Sequence, residues 1–358
     1  MKLGDRNTKR SMKRNTITAA IALAGTLAAL SAHAQTPRLT VAMYGGNWGD
    51  AFRSCVAEPF TRATGIAVTP ELGTSTTTLA KLQQQKAAPS VDVAWMDGGI
   101  SELAFQAGVL DHLDATAIPN LKNLIPKALY RSGTTTYAAG SGYYSLGLTY
   151  STRSVKPAPT SWKDLWNPAY AGAVTLPSPA NSAGVPFVVF LAQVWGVNPA
   201  SLEPVYAKLA ALDTALFFDS SGAASNAFQS GEAVIGAHFN VGAWDLIDKG
   251  VPLGFVVPKE GAWATDARLH LVKGSRNKAA AEKFINSALT PAAATCLAAK
   301  LYLGPAVAGV SVPADVARKL PWGANGSVDS LKLFDWSAIN ARRAEITSAW
   351  NRQVANKR

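Results

Sequence analysis

The stretch from Arg38 to Asp50, RLTVAMYGGNWGD, joins an apolar segment to a run of turn-forming residues. Its pattern is strand-like as far as Tyr44, Gly45-Gly46-Asn47 then interrupts it, and an apolar pattern with helical spacing continues through Thr64. This order predicts a strand, a glycine loop and a helix, the repeating unit of an open α/β sheet. Ligands of such sheets bind at the carboxyl ends of the strands, which here carry Tyr44, Gly46 and Trp48.

The same alternation of strand, polar loop and helix runs along the rest of the chain. A strand-like segment from Val91 to Trp95 ends at Asp97-Gly98. In the second half, predicted strands end at polar or aromatic loops that contain Ser178, Asn181, Ser182, Ser220, Ser221, Phe239 and Asn240. We therefore predict an α/β fold of two lobes, each an open, mostly parallel sheet flanked by helices.

The predicted lobes are interrupted along the sequence. Residues 35–145 form the first part of lobe I, residues 146–264 form lobe II, and residues 265–358 return to lobe I and end in a helix. A chain that leaves one lobe and returns to it crosses twice, and two crossings make a hinge.

The amino terminus predicts export. Lys13 and Arg14 precede an uncharged run from Ile17 to Leu30, and Ala32-His33-Ala34 has small residues at both cleavage-site positions. Residues 1–34 therefore read as a signal peptide, which predicts a periplasmic protein. The first 34 residues hold six basic residues and one aspartate, so they account for much of the formal charge of +11. The remaining basic residues form no stripe with interleaved aromatics, and we expect no nucleic-acid partner.

Cys55 and Cys296 are the two cysteines of the chain, and both follow the predicted signal peptide. An exported protein can form a disulfide, and an even count favours one. Two buried free thiols are the alternative, because a sequence cannot show that the sulfur atoms meet.

Six short motifs resemble the solute-binding proteins of bacterial ABC importers, in the polyamine (spermidine/putrescine) branch of family 1, with the type II periplasmic-binding-protein fold. They occur in the family's order and are listed here: Tyr44 to Gly49, Val93 to Asp97, Thr160 to Trp166 with Pro168, Gln229 to Glu232, Pro258 to Gly261, and Leu303 to Pro305. The resemblance implies a small-molecule solute gripped between the lobes and delivered to a membrane permease. It also implies a monomer that uses no metal or other cofactor.

The resemblance carries the family's binding site onto particular residues. Tyr44 and Trp48 become aromatic walls, Asp97 and Gly98 edge the cleft, and Asp266 matches the carboxylate that receives an amine. The lobe II positions implied by the match are Ser178, Asn181, Ser182, Phe239 and Asn240. Ser220 and Ser221, at the end of another predicted strand, could also hydrogen-bond a carboxylate or hydroxyls of the ligand. The loop from residue 178 to residue 182 lacks the acid that polyamine binders tend to place there. A small zwitterion, a monoamine or a similar polar metabolite therefore suits the predicted site better than a long polyamine.

Each of these roles has a structural alternative. Trp48 could cap the core of lobe I, Asp97 could cap a helix, and Asp266 could pair with Arg268. The functional alternative is a periplasmic hydrolase or transferase on the same scaffold. His112, His238 and His270 lie in separate segments without metal-site spacing, and no nucleophile motif occurs, so we predict no catalytic residues.

Overall fold

The structure is a computed structural model that describes residues 38–357. The predicted signal peptide, residues 1–34, lies outside this range. The strands are β1 (Arg38–Met43), β2 (Ala67–Leu72), β3 (Val93–Asp97), β4 (Leu129–Ser132), β5 (Thr135–Ser151), β6 (Val174–Pro177), β7 (Leu216–Phe218), β8 (Ile235–Phe239), β9 (Leu253–Val256), β10 (Trp263–Leu271), β11 (Gly304–Pro305) and β12 (Lys332–Leu333).

The α-helices cover the faces of the sheets and are α1 (Gly46–Phe52), α2 (Glu58–Thr64), α3 (Ser75–Gln84), α4 (Ile100–Gln106), α5 (Gly184–Trp195), α6 (Glu203–Ala211), α7 (Ser221–Ser230), α8 (Asn240–Asp248), α9 (Lys278–Ala288), α10 (Pro291–Leu301), α11 (Ala314–Ala317) and α12 (Trp336–Gln353). A π-helical segment, Arg53–Ala57, joins α1 to α2. Short 3-10 turns are Pro119–Asn123, Pro126–Ala128, Trp162–Trp166, Pro168–Tyr170, Val328–Ser330 and Ala355–Lys357. No helix between residues 38 and 357 has the length and apolar character to cross a membrane.

The sheet runs in the order β2-β1-β3-β10-β5-β8-β6-β7. Strands β2, β1 and β3 are parallel, as are β7, β6 and β8, whereas β10 runs antiparallel to β3 and β5. The parallel groups follow from the strand and helix alternation of the sequence, because a helical crossover returns the next strand in the same direction.

Strand β5 joins the two halves of the sheet. Its residues 139–145 pair with β10, and its residues 146–150 pair with β8. We call β1, β2, β3, β10 and the first part of β5 lobe I, and β6 to β9 with the last part of β5 lobe II. The two-lobed α/β fold predicted from the sequence is confirmed, with one expansion: the predicted crossing strand, 143–150, is part of a 17-residue strand. The boundaries at residues 145 and 264 stay predictions.

Each lobe has an aromatic core. In lobe I, Trp95 stacks on Phe52 with ring centroids 3.8 Å apart, and in lobe II Trp162 meets Phe187 edge to face at 5.5 Å. Full burial of such large rings removes about 150–250 Å² each from water and dominates the packing energy. The rigid cores hold the strand ends, and therefore the loops between the lobes, in fixed positions.

Cys55 and Cys296 are bonded to each other across 241 positions of sequence, with their sulfur atoms 1.98 Å apart. Cys55 lies in the π-helical segment after α1, and Cys296 lies in α10. The bond therefore ties the returning chain to the helix that follows the glycine loop.

Candidate functional site

A cavity of about 350 Å³ lies between the lobes at the carboxyl ends of their strands. Lobe I contributes the loop after β1, the start of α3 and the end of β3. Lobe II contributes the loops that precede α5 and α7, the end of β8, and residues of α7 and α8. Nine of the sequence-predicted residues line it, namely Tyr44, Gly46, Trp48, Asp97, Asn181, Ser182, Ser220, Ser221 and Phe239. The structure thus brings together residues that are up to 195 positions apart in sequence.

Asp97 is the cavity's buried carboxylate, with 6% of its surface exposed. Its Oδ1 accepts hydrogen bonds from the hydroxyls of Tyr44, at 2.6 Å, and of Tyr144. Its Oδ2 accepts from Ser75 Oγ at 2.9 Å and from Ser182 Oγ at 2.5 Å. Four neutral donors stabilise the charge, but they do not cancel it.

No lysine, arginine or histidine of residues 38–357 forms an ion pair with Asp97. Buried charges in proteins are ordinarily paired. Burial and the adjacent carboxylate raise the pKa of Tyr44 and of Tyr144 well above the usual value, so both phenols stay protonated donors. The geometry is therefore that of an anionic centre which a cationic group can enter to form charge-assisted hydrogen bonds.

Aromatic rings wall the same end of the cavity. Trp48 meets Tyr44 and Tyr144 edge to face, with ring centroids 5.2 Å and 5.1 Å apart, and Tyr144 meets Phe239 at 4.9 Å. Trp48 is only 6% exposed, so it both packs in the lobe I core and faces the cavity. The loop that presents it depends on Gly46, whose φ of +62° is a conformation that glycine adopts without strain.

The first turns of several helices face the cavity from the other directions. Ser75 opens α3, Ser221 opens α7, Gly242 lies in the first turn of α8, and Ser182 lies just before α5. The first N–H groups of a helix have no partner within the helix, and its dipole is positive at that end. Acceptor groups of a ligand, such as a carboxylate, therefore have donors available there.

The two lobes contact each other across the cavity. Besides the bond from Ser182 to Asp97, Thr76 Oγ1 donates to the carbonyl of Ala180 at 2.9 Å, and Asn47 Nδ2 donates to the carbonyl of Val241 at 3.5 Å. In this arrangement the lobes are closed on each other, and Asp97 itself is one of the closing contacts.

Asp266, predicted to receive an amine, does not line the cavity. It is buried in lobe I, where Arg268 Nε donates to its two oxygens at 3.0 Å and 2.9 Å and Tyr130 donates at 2.5 Å. Arg268 also pairs with Glu102 at 2.6 Å. Burial raises the pKa of Asp266, and the Arg268 guanidinium opposes this rise. The structure thus shows the pairing with Arg268 that the sequence left as the alternative.

Three other predicted residues support the loops without lining the cavity. Ser178 donates to the Asp219 carboxylate, and its Oγ accepts from the N–H of Ala180 at 3.1 Å. The side-chain amide of Asn240 hydrogen-bonds to backbone groups. It accepts from the N–H of Ser145 and donates to the carbonyls of Tyr302 and Lys319. Gly98 is enclosed: a Cβ there would lie 2.6 Å from Arg268 and 2.7 Å from Trp336.

Sequence reasoning missed several lining residues, of which Ser75 and Tyr144 matter most because both bind Asp97. Thr74 caps α3 by accepting a hydrogen bond from the N–H of Thr77, and this cap signal places Ser75 at the start of a helix after a strand. Tyr144 lies in a strand of small and aromatic residues that carries no comparable signal. The residues that the structure describes include no group of three histidine, cysteine or acidic side chains able to hold a metal ion.

A two-lobed binding protein with a polar cavity between its lobes is the class that this fold and site define. Residues 56–321 match the family of bacterial extracellular solute-binding proteins, so the chain belongs to this family. The sequence is 29% identical over 260 residues to spermidine/putrescine-binding periplasmic protein 1 of Haemophilus influenzae, covering 69% of each chain. It is 26% identical over 313 residues to the gamma-aminobutyric acid-binding protein of Pseudomonas aeruginosa, covering 84% of this chain and 86% of that protein.

Solved structures agree on the fold. The PBP AgtB of A. tumefaciens R10, solved in complex with agropinic acid, superposes with a TM-score of 0.74 at 20% identity, covering 89% of this chain and 99% of that one. The comparisons confirm the predicted resemblance and the substrate-binding role of an ABC-transporter protein, and they do not support the hydrolase or transferase alternative. Such proteins bind small solutes and work with permease components.

Proposed function

We propose that this protein captures a small amine-bearing solute beside Asp97 and delivers it to the permease subunits of an ABC transporter in the inner membrane. The observation that carries this proposal is a buried carboxylate that faces the cavity, accepts only neutral hydroxyl donors and has no cationic partner among the described residues. An ammonium group supplies the missing charge. The rings of Trp48, Tyr44 and Tyr144 add cation–π attraction of roughly 0.5–2 kcal/mol.

A monoamine or an amino-acid-like zwitterion suits the cavity better than a long polyamine. A polyamine needs a second unpaired carboxylate, yet Asp266 is paired with Arg268 and the loop from Ser178 to Ser182 contains no acid. The other carboxylate that lines the cavity, Asp245, is paired with Lys249. The amino-terminal ends of α7 and α8, on the lobe II side of the cavity, instead favour a hydrogen-bond acceptor of the ligand, such as a carboxylate. The curated relatives are named for spermidine, putrescine and gamma-aminobutyric acid, all of which carry an amine.

Ligand binding is coupled to lobe closure in this proposal. Asp97 belongs to lobe I and Ser182, its partner across the cavity, belongs to lobe II. A solute that contacts both sides favours the closed form by the difference between its affinities for the two forms. The permease then recognises the closed form.

The cellular setting follows from the same role. Residues 1–34 act as a cleaved signal peptide, and the protein works in the periplasm, as the name of the Haemophilus influenzae relative states for that protein. It works as a monomer, without a nucleic-acid partner, a cofactor or an enzymatic activity of its own.

Isothermal titration calorimetry against gamma-aminobutyrate, 5-aminovalerate, putrescine, spermidine and neutral polyols tests the proposal. We expect an amine to bind and the Asp97→Asn variant to lose about 10- to 150-fold in affinity, because hydrogen bonds to a charged group contribute roughly 1.5–3 kcal/mol. Asp213→Asn removes an exposed aspartate outside the cavity and is the matched control. A neutral polyol as the only ligand, or unchanged amine affinity in Asp97→Asn, would contradict the proposal.

A further inference from the structure

We infer that the cavity contains a second, distal subsite between α7 and α8, and that the two subsites together select a basic amino acid. The ammonium of the ligand's side chain binds Asp97, and its α-amino-acid head binds the distal subsite. We define the distal subsite as Asn226, Gln229, Asp245 and Lys249, all of which line the cavity. This inference rests on the proposed function and specifies the class of amine.

The cavity extends along most of the length of α7 and α8. Its lining residues on α7 run from Ser221 through Ser225 to Gln229, at helical spacing on one face. Eight residues of helix correspond to a rise of roughly 12 Å. On α8 the lining includes Gly242, Asp245 and Leu246, and Lys249 directly follows the last residue of that helix. A solute confined to the Asp97 end would leave the part of the cavity along α7 and α8 empty.

The distal subsite presents polar side chains that can hydrogen-bond to a ligand. The residues Asn226 and Gln229 are exposed, and each carries an amide that both donates and accepts hydrogen bonds. Asp245 and Lys249 form an ion pair of 2.8 Å one helical turn apart, with 24% and 61% of their side chains exposed. Lys249 is exposed and Asp245 is partly exposed, so solvent screening keeps the contribution of this pair to stability small and a ligand can open it at small cost.

The charges on the lining identify the ligand class. Among the described residues that line the cavity, Asp97 and Asp245 are acidic and Lys249 is basic, which gives a formal charge of −1. A solute with one positive charge overall complements this lining when its ammonium reaches Asp97 and a zwitterionic head reaches the other two groups. In such a head the ammonium faces Asp245 and the carboxylate faces Lys249. A diamine would place its second cation beside Lys249, and an ω-amino acid would leave Asp245 without a cation once Lys249 binds the carboxylate.

Three ligands with the same five-carbon tether to the ammonium test this assignment. Cadaverine is lysine without its carboxylate, and 6-aminohexanoate is lysine without its α-amino group. By calorimetry we expect lysine to bind at least tenfold more tightly than either one. Lys249→Gln should reduce the ratio of cadaverine to lysine dissociation constants at least fivefold, and Asp245→Asn should do the same for the ratio of 6-aminohexanoate to lysine. Lys283→Gln, an exposed lysine on α9 outside the cavity, is the control that leaves both ratios unchanged.

The outcomes separate this inference from the proposed function. Lysine that binds no better than its two analogues, or ratios that neither variant changes, would overturn the distal subsite. If the analogues still bind and still depend on Asp97, the proposed function stands. If no amine binds to the protein at all, both fail. A preference for lysine that both variants reduce in the expected ligand pairs would support the full assignment.

Discussion

Replacing Asp266 with asparagine separates its structural role from a binding role. The substitution keeps the size of the side chain but removes the charge that pairs with Arg268 Nε at 2.9 Å inside lobe I. Breaking a buried ion pair by removing one partner costs about 3–5 kcal/mol, because the other charge stays buried. Arg268 retains Glu102 at 2.6 Å, so we expect the lower end of this range, roughly 3 kcal/mol.

Ligand affinity should change little in the same variant. The backbone next to Asp97 is held by a hydrogen bond from the N–H of Gly98 to the backbone carbonyl of residue 266 at 3.1 Å. An asparagine at position 266 keeps this carbonyl. We therefore expect a melting temperature lower by roughly 6 °C or more, at about 2–4 °C per kcal/mol, with an amine dissociation constant within threefold of wild type.

Calorimetric melting and titration of the same protein sample check both expectations. Asp97→Asn is the matched comparison and should behave in the opposite way, with weakened amine binding and no comparable loss of melting temperature, since no ion pair is broken. An Asp266→Asn protein that melts like wild type but no longer binds the amine would refute the assignment of Asp266 to the lobe I cluster.

Three further predictions concern the site and the stability of the fold. Trp48→Ala should weaken amine binding at least tenfold in titration calorimetry, because it removes the ring that walls Asp97; an unchanged dissociation constant would remove Trp48 from the site. Burial lowers the pKa of His238 to about 4. Below pH 6.5 this histidine is therefore protonated in the unfolded state but stays neutral in the native state. The free energy of unfolding in urea should therefore fall by roughly 2 kcal/mol between pH 7 and pH 5 through this residue. The His238→Asn variant should lose this part of the pH dependence of its unfolding free energy, whereas the control variant His112→Asn, which changes an exposed histidine, should keep it. Equal pH profiles for the two variants would contradict the argument. A thiol count on the unfolded, unreduced protein should find no free cysteine, and Cys55→Ala with Cys296→Ala should reduce stability by roughly 5 kcal/mol for a loop of 241 residues; two reactive thiols would exclude the bond.

Much of the fold was predictable because the apolar periodicity is strong and glycine or proline interrupts it at the strand ends. The glycine loop after β1 placed Tyr44, Gly46 and Trp48 on the cavity, and the carboxyl end of β3 placed Asp97 there. These positions follow from local order along the chain, since the carboxyl ends of parallel strands meet at one edge of a sheet.

The partners of the carboxylates were not predictable in the same way. Asp97 is bound by Ser75, Tyr144 and Ser182, which come from three separate elements that only the folded lobes bring together. Asp266 is two positions from Arg268 on one strand, so both side chains point to the same face of the sheet. The sequence could offer this pairing only as one of two possibilities, because it did not show which face meets the cavity.

A crystal structure of the protein with the tightest-binding amine tests the central claim most directly. We predict the ligand's ammonium nitrogen within hydrogen-bonding distance of the Asp97 carboxylate, against the rings of Trp48 and Tyr144, with Arg268 still paired to Asp266. An amine bound at Asp266 with Arg268 displaced, or a ligand located outside the cavity between the lobes, would contradict the account.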